Sequence, residues 1–109
     1  MKNCDLFRNE NEYPSFPAAQ AVERLRQALR FRTVSYVDTS RICYDQFDAL
    51  RAFLRESYPA VMEAGTYEEI GRSLLITIPG SDASLRPALF MAHQDVVPVV
   101  PGTQGDWLH

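Results

Sequence analysis

Hydrophobic residues recur every three or four positions in the first half of the chain, which is the period of an amphipathic helix. In PAAQAVERLRQALRFR this spacing predicts a first helix with its apolar face on Ala18, Val22, Leu25 and Leu29. In YDQFDALRAFLRESY it predicts a second helix, which ends before Pro59 because a residue that precedes proline avoids the helical region. The aromatic residues of this second helix are expected to lie in the core.

The period changes to two in the second half of the chain. Leu74, Ile76 and Ile78 occupy alternate positions, which predicts a strand, and Gly71 predicts a turn that joins it to an earlier strand in TYEEI. The later run ALFMA is continuously apolar, which is typical of a strand covered on both faces. The prolines and glycines that follow predict an irregular C-terminal segment.

The order helix, helix, strand pair, loop, apolar strand predicts an α/β fold. A buried central strand needs neighbouring strands on both sides and helices on both faces. Two helices and three strands supply only part of these layers. We therefore expect residues 18–109 to be the front of a larger domain, incomplete on its own, preceded by a polar N-terminal arm at residues 1–17.

Composition argues against two classes of partner. The chain has 11 Lys and Arg against 14 Asp and Glu, a net charge of -3, so it lacks the basic stripe of a nucleic-acid surface. No window approaches the ~18 apolar residues of a membrane span, and the N-terminus lacks the apolar core of a secretory signal.

Cys4 and Cys43 lie far apart, which fits reduced thiols or one disulfide. We predict a cytoplasmic protein.

A histidine and an acid follow the apolar run in LFMAHQDVVP. His93 comes at the carboxyl end of the predicted strand, where ligands collect in α/β sheets, and imidazole is a common metal ligand. Asp95 is placed to accept a hydrogen bond from the other ring nitrogen, which would fix the tautomer. A histidine in this position also occurs as a purely structural residue, and the spacing alone leaves both alternatives open.

The wider sequence resembles a known family. With GDWLH, the string LFMAHQDVVPV is similar to the first metal-binding segment of the zinc aminoacylase and carboxypeptidase family (peptidase family M twenty). This family includes acetylornithine deacetylase, succinyl-diaminopimelate desuccinylase and Gly-X carboxypeptidases. Upstream, LRQALRFRTVS resembles the family's first helix and the loop that follows it. The resemblance implies the N-terminal part of a zinc-exopeptidase-like catalytic domain with a two-zinc centre, where water attacks an amide carbonyl.

The resemblance also implies roles for single residues. His93 matches the first metal ligand, and Asp95 matches the catalytic acid that holds this histidine. Trp107 matches a tryptophan near the site, whose role is either packing or contact with substrate. The substrate class implied is an N-acyl amino acid or a short peptide.

Other parts of the family's site have no counterpart in this sequence. The remaining metal ligands, the general base and the lid or dimerisation domain match no position here, and His109 matches no ligand. The chain alone is therefore expected to be inactive and to need the remainder of the catalytic domain as its partner, with a homodimer as the implied assembly of the full-length protein. Two alternatives stay open: a truncated, non-catalytic relative that acts as a binding module, and an unrelated α/β protein.

Overall fold

The computed structural model describes residues 17–106, which form three helices, one β-hairpin and an irregular C-terminal segment. The elements are α1 (Ala18–Ala28), α2 (Tyr44–Ser57), α3 (Pro59–Ala64), β1 (Thr66–Ile70) and β2 (Ser73–Thr77), with short 3-10 turns at Thr39–Arg41 and Gln104–Asp106.

The two predicted helices are confirmed as α1 and α2. Helix α2 ends at Ser57, as expected before a proline, but Pro59 also begins the short helix α3. Proline is well suited to a first helical position because the N–H group that it lacks would have no partner there. The sequence pattern predicted only the end of α2 at this proline, so α3 was missed.

The core lies on one face of α2, where the spacing predicted it for Phe47 and Leu50, whereas Tyr58, also expected in the core, is 37% exposed. Phe47 and Leu50 are only 7% and 8% exposed. Phe53, one turn further along, packs its ring 5.5 Å from the ring of Phe31, which lies in the segment after α1. The buried face of α2 thus forms the core, with Phe31 packed against it from the segment after α1.

A charged network joins α2 to the turn of the hairpin. Arg51 is 5% exposed and donates hydrogen bonds to the Asp48 carboxylate and to the carbonyl of Arg72, the latter at 3.1 Å. Arg72 in turn donates to Asp48 at 2.8 Å. The hydrogen bond from Arg72 lowers the pKa of Asp48, and the bond from Arg51 lowers it further. The buried arginine therefore lies in the core with its charge partly compensated.

The predicted hairpin is confirmed. Strands β1 and β2 pair antiparallel, with Ile70 opposite Ser73 at the turn, so the loop has two residues. Gly71 is the first of them and has φ +60°, a backbone conformation that two-residue hairpin turns require and that glycine adopts without steric cost.

Gly65, between α3 and β1, is held close to the hairpin backbone. A Cβ atom at this position would lie 3.0 Å from the carbonyl carbon of Thr77 and nearer still to its oxygen. The chain can therefore enter β1 in this register only if residue 65 has no side chain.

We expect Gly65→Ala to lower the free energy of unfolding of the chain by about 1–3 kcal/mol, because the added methyl group would displace the Thr77 backbone. Chemical denaturation monitored by circular dichroism measures this change. Gly80→Ala is the matched control, since a Cβ atom there would meet nothing within 4 Å. Equal stability of the two variants would show that the hairpin is not packed as described.

The predicted buried central strand does not form within residues 17–106. The run Ala88–Ala92 has no regular structure, and Phe90 and Leu89 are 92% and 71% exposed. A strand is held by hydrogen bonds along its edges, and no segment within residues 17–106 pairs with this run. The α/β interpretation is therefore confirmed only as a mixture of helices and one hairpin.

The apolar stripe of α1 also differs from expectation. Val22, Leu25 and Leu29 are 59–73% exposed, so this stripe does not face α2. Arg24, outside the apolar stripe, lies with its guanidinium 5.0 Å from the centre of the Tyr58 ring. The helix forms as predicted, but it contacts its neighbour through a different face.

Several sequence predictions lie outside the described residues. These are most of the N-terminal arm, Trp107, His109 and the pairing of Cys4, whereas Cys43 is described and exposed. None of the helices formed by residues 17–106 combines the length and the apolar character that crossing a membrane requires.

Candidate metal site

The structure brings the two predicted site residues together. Nδ1 of His93 lies 2.9 Å from Oδ1 of Asp95, and the histidine side chain is 92% exposed. A carboxylate can only accept, so in the neutral imidazole the proton lies on Nδ1 and is donated to Asp95. The lone pair of Nε2 is then left free, which is the state in which histidine ligates a metal while a carboxylate orients its ring.

Asp95 is suited to its position as the acceptor. The hydrogen bond from His93 lowers the pKa of the Asp95 carboxyl group, and a hydrogen bond from the Ser35 side chain lowers it further. The carboxyl group is therefore ionised at neutral pH, and its negative charge faces the imidazole.

The loop after α1 holds the segment that carries this pair. Val96 N–H donates to the carbonyl of Thr33, Ser35 N–H donates to the carbonyl of Val96, both at 2.9 Å, and Val34 and Val96 form an isolated parallel bridge. The Thr33 hydroxyl donates to the carbonyl of Gln94 at 2.7 Å. Thr33 is 3% exposed, so the donor side of this part-buried contact is buried.

Sequence reasoning identified the resemblance of TVS but assigned these residues no role. The contact between Thr33 and Gln94 joins positions 61 residues apart. No local spacing could indicate it. The available signal was the pair of β-branched residues, Thr33 and Val34, directly after the first helix and its loop.

An open cavity of about 610 Å³ lies beside the histidine and aspartate. Its wall combines the pair with aromatic, aliphatic and cationic side chains, including Tyr44, Phe47, Arg72 and Met91. The guanidinium of Arg72 stacks 4.5 Å from the centre of the Tyr44 ring. The surroundings of the pair are therefore mixed in polarity, with apolar surface and one cation close by.

The residues present fit one corner of a zinc site. His93 offers one nitrogen ligand already oriented by a carboxylate. Within residues 17–106, however, no group of three or more His, Cys, Asp or Glu side chains is close enough to hold a metal ion. A zinc centre needs three or four protein ligands in most sites, so the others would have to come from outside this part of the chain.

The chain is homologous to part of the aminoacylase and carboxypeptidase family named above, and the homology covers a fragment of its members only. It is 37% identical over 84 residues to the probable carboxypeptidase S-like 1 of Dictyostelium discoideum, an alignment that covers 75% of this chain and 17% of that protein.

Two other relatives bear two different kinds of name, a carboxypeptidase and an N-fatty-acyl-amino acid synthase/hydrolase. Carboxypeptidase S of Saccharomyces cerevisiae is 33% identical over 93 residues, covering 80% of this chain and 16% of the relative. The N-fatty-acyl-amino acid synthase/hydrolase of Danio rerio is 32% identical, covering 96% of this chain and 22% of the relative. No protein-family model and no solved structure matches the chain.

The chain is short compared with these proteins. It spans 15–22% of the length of the curated relatives it matches. The homology therefore covers a fragment of these proteins, and the activity of a whole protein that contains it belongs to the proposal below.

Proposed function

We propose that this chain is the segment of a zinc-dependent amidohydrolase or carboxypeptidase that carries the first metal ligand, His93. The complete enzyme would cleave an amide bond of an N-acyl amino acid or a short peptide, and the 109-residue chain alone would be inactive. The observation that supports this best is the hydrogen bond between His93 and Asp95, because it leaves Nε2 free in a segment whose relatives are named as carboxypeptidases and N-acyl-amino acid hydrolases.

Each residue has a defined part in this proposal. Asp95 holds the imidazole by accepting from Nδ1, which keeps Nε2 as the ligating atom and raises its basicity. Divalent metal in the completed site would lower the pKa of a bound water and would polarise the carbonyl of the substrate. The proposal requires the remainder of the catalytic domain as a partner, and it takes a cytoplasmic location and a homodimer as its working assumptions. Trp107 stays a candidate for substrate contact.

A metal-removal experiment tests this function. The complete protein, meaning this chain with the sequence that completes the catalytic domain, is assayed on N-acyl amino acids and dipeptides. We expect chelator to abolish hydrolysis and added Zn²⁺ to restore it, while the 109-residue chain shows no activity under either condition. Hydrolysis that persists in chelator would refute the zinc-dependent reaction.

One observation supports a second candidate, a non-catalytic module. The exposed apolar run that includes Phe90 would suit a segment that binds another chain as well as it suits contact with the rest of a catalytic domain. Reading the coding sequence beyond codon 109 separates the two. An open frame encoding further acidic and histidine ligands would favour the enzyme, and a stop codon directly after His109 would favour the module.

A further inference from the structure

We propose that Thr33 is a positioning residue, whose buried hydroxyl and carbonyl together fix the backbone of Asp95 and so set the geometry of the His93–Asp95 pair. This inference deepens the proposed function, and its consequence for metal binding rests on that function. Its consequence for the orientation of the imidazole is independent of the proposed function and can be measured without metal.

The contacts place Thr33 on both sides of Asp95. Its hydroxyl donates to the carbonyl of Gln94, which belongs to the peptide group preceding Asp95. Its own carbonyl accepts from the N–H of Val96, which belongs to the peptide group following Asp95. One residue therefore anchors the two peptide planes that flank the aspartate, and these planes determine φ and ψ of Asp95.

Burial makes this anchor effective. Thr33 is 3% exposed, so water cannot readily replace the hydroxyl as donor to Gln94. The imidazole that depends on Asp95 is, in contrast, 92% exposed and has no other hydrogen bond among the described side chains. The orientation of the exposed ring is thus set through Asp95 by the loop after α1, where buried Thr33 fixes the backbone and the Ser35 side chain contacts the carboxylate.

The hydroxyl group can be separated from the bulk of the side chain. Thr33→Val keeps the shape and removes the donor, whereas Thr33→Ser keeps the donor and removes a methyl group. Thr77→Val is the control for the exchange itself, because Thr77 lies exposed in β2. If Thr33→Val prevents folding, Thr33→Ala and Thr33→Ser form a second pair that differs only in the hydroxyl.

The test measures the tautomer of His93 by ¹⁵N NMR of the full chain. All variants carry His109→Gln, which removes the second of the two histidines, and spectra are taken at about pH 8, where an ordinary imidazole is neutral. In the parent, Thr33→Ser and Thr77→Val chains we expect the proton on Nδ1. In Thr33→Val we expect the two ring nitrogens to approach a common averaged shift. Amide exchange of Val96 reports whether the local fold is retained.

The outcomes are distinct. The positioning role is refuted if Thr33→Val keeps the proton on Nδ1 as in the parent. Where the valine variant does not fold, the same result in Thr33→Ala refutes it. In the complete protein we expect the same substitution to weaken zinc binding about tenfold in a chelator competition, with Thr33→Ser unchanged. A complete protein that holds no zinc would refute the proposed function while leaving the tautomer result intact. Zinc binding unaffected by loss of the hydroxyl would refute this inference alone.

Discussion

His93→Ala in the complete protein is expected to remove one zinc ion per molecule and to reduce amide hydrolysis below detection. Among the described residues, His93 offers a free ring nitrogen, Nε2, as a ligand. Its other ring nitrogen, Nδ1, is hydrogen-bonded to the carboxylate of Asp95. Alanine leaves no nitrogen donor at this corner, and the neighbouring Asp95 alone makes a single ligand. Metal analysis of the purified variant, together with turnover of an N-acyl amino acid, measures both effects.

The control is the other histidine of the chain. His109→Ala removes an imidazole at a position that matches no ligand of the family, so zinc content and hydrolysis are expected to stay at parental values. An unchanged zinc content in His93→Ala would show that the ligand assignment is wrong. Loss of zinc in both variants would indicate that the fold, and not the ligand, had been damaged.

Asp95→Asn is expected to weaken zinc binding and reduce hydrolysis by about 10–100-fold, without abolishing either. The amide oxygen of asparagine can still accept from Nδ1 of His93, so part of the orientation is retained. The negative charge is lost, however, and with it the increase in basicity that the carboxylate gives to Nε2. Competition with a chelator gives the affinity, and steady-state assays give the rate.

Asp82→Asn provides a matched control for this charge removal. Asp82 also accepts hydrogen bonds from a residue two positions away, Ser84, but it lies in an exposed loop outside the candidate site. We expect its variant to bind zinc as the parent does. Equal affinities of Asp95→Asn and the parent would contradict the role assigned to Asp95.

Local patterns in the sequence predicted the features that depend on neighbouring residues. The spacing of Phe47 and Leu50 predicted the buried face of α2, and Gly71 predicted the hairpin turn. The pair formed by His93 and Asp95 is equally local, since the two residues are separated by a single position. In each case the residues that determine the feature lie within a few positions of one another along the chain.

Features that depend on distant residues were missed. The anchoring of Gln94 by Thr33 joins two loops, and no periodicity indicates which hydroxyl will meet which carbonyl. The burial of Arg51 had the same cause, because its partners include a carbonyl in the hairpin turn. The prediction of a buried strand at Ala88–Ala92 was wrong for the described residues. Apolar composition indicates that a segment tends to be buried, whereas strand formation depends on other strands that pair with it.

Locating the metal tests the central claim most directly. Anomalous X-ray scattering at the zinc edge, from crystals of the complete protein, would give the position of each zinc ion relative to its ligands. We predict one zinc ion at about 2.0–2.1 Å from Nε2 of His93, with Nδ1 of the same ring still bonded to Asp95. Zinc ions bound elsewhere, with His93 free of metal, would contradict the assignment of this chain as the first corner of the metal centre.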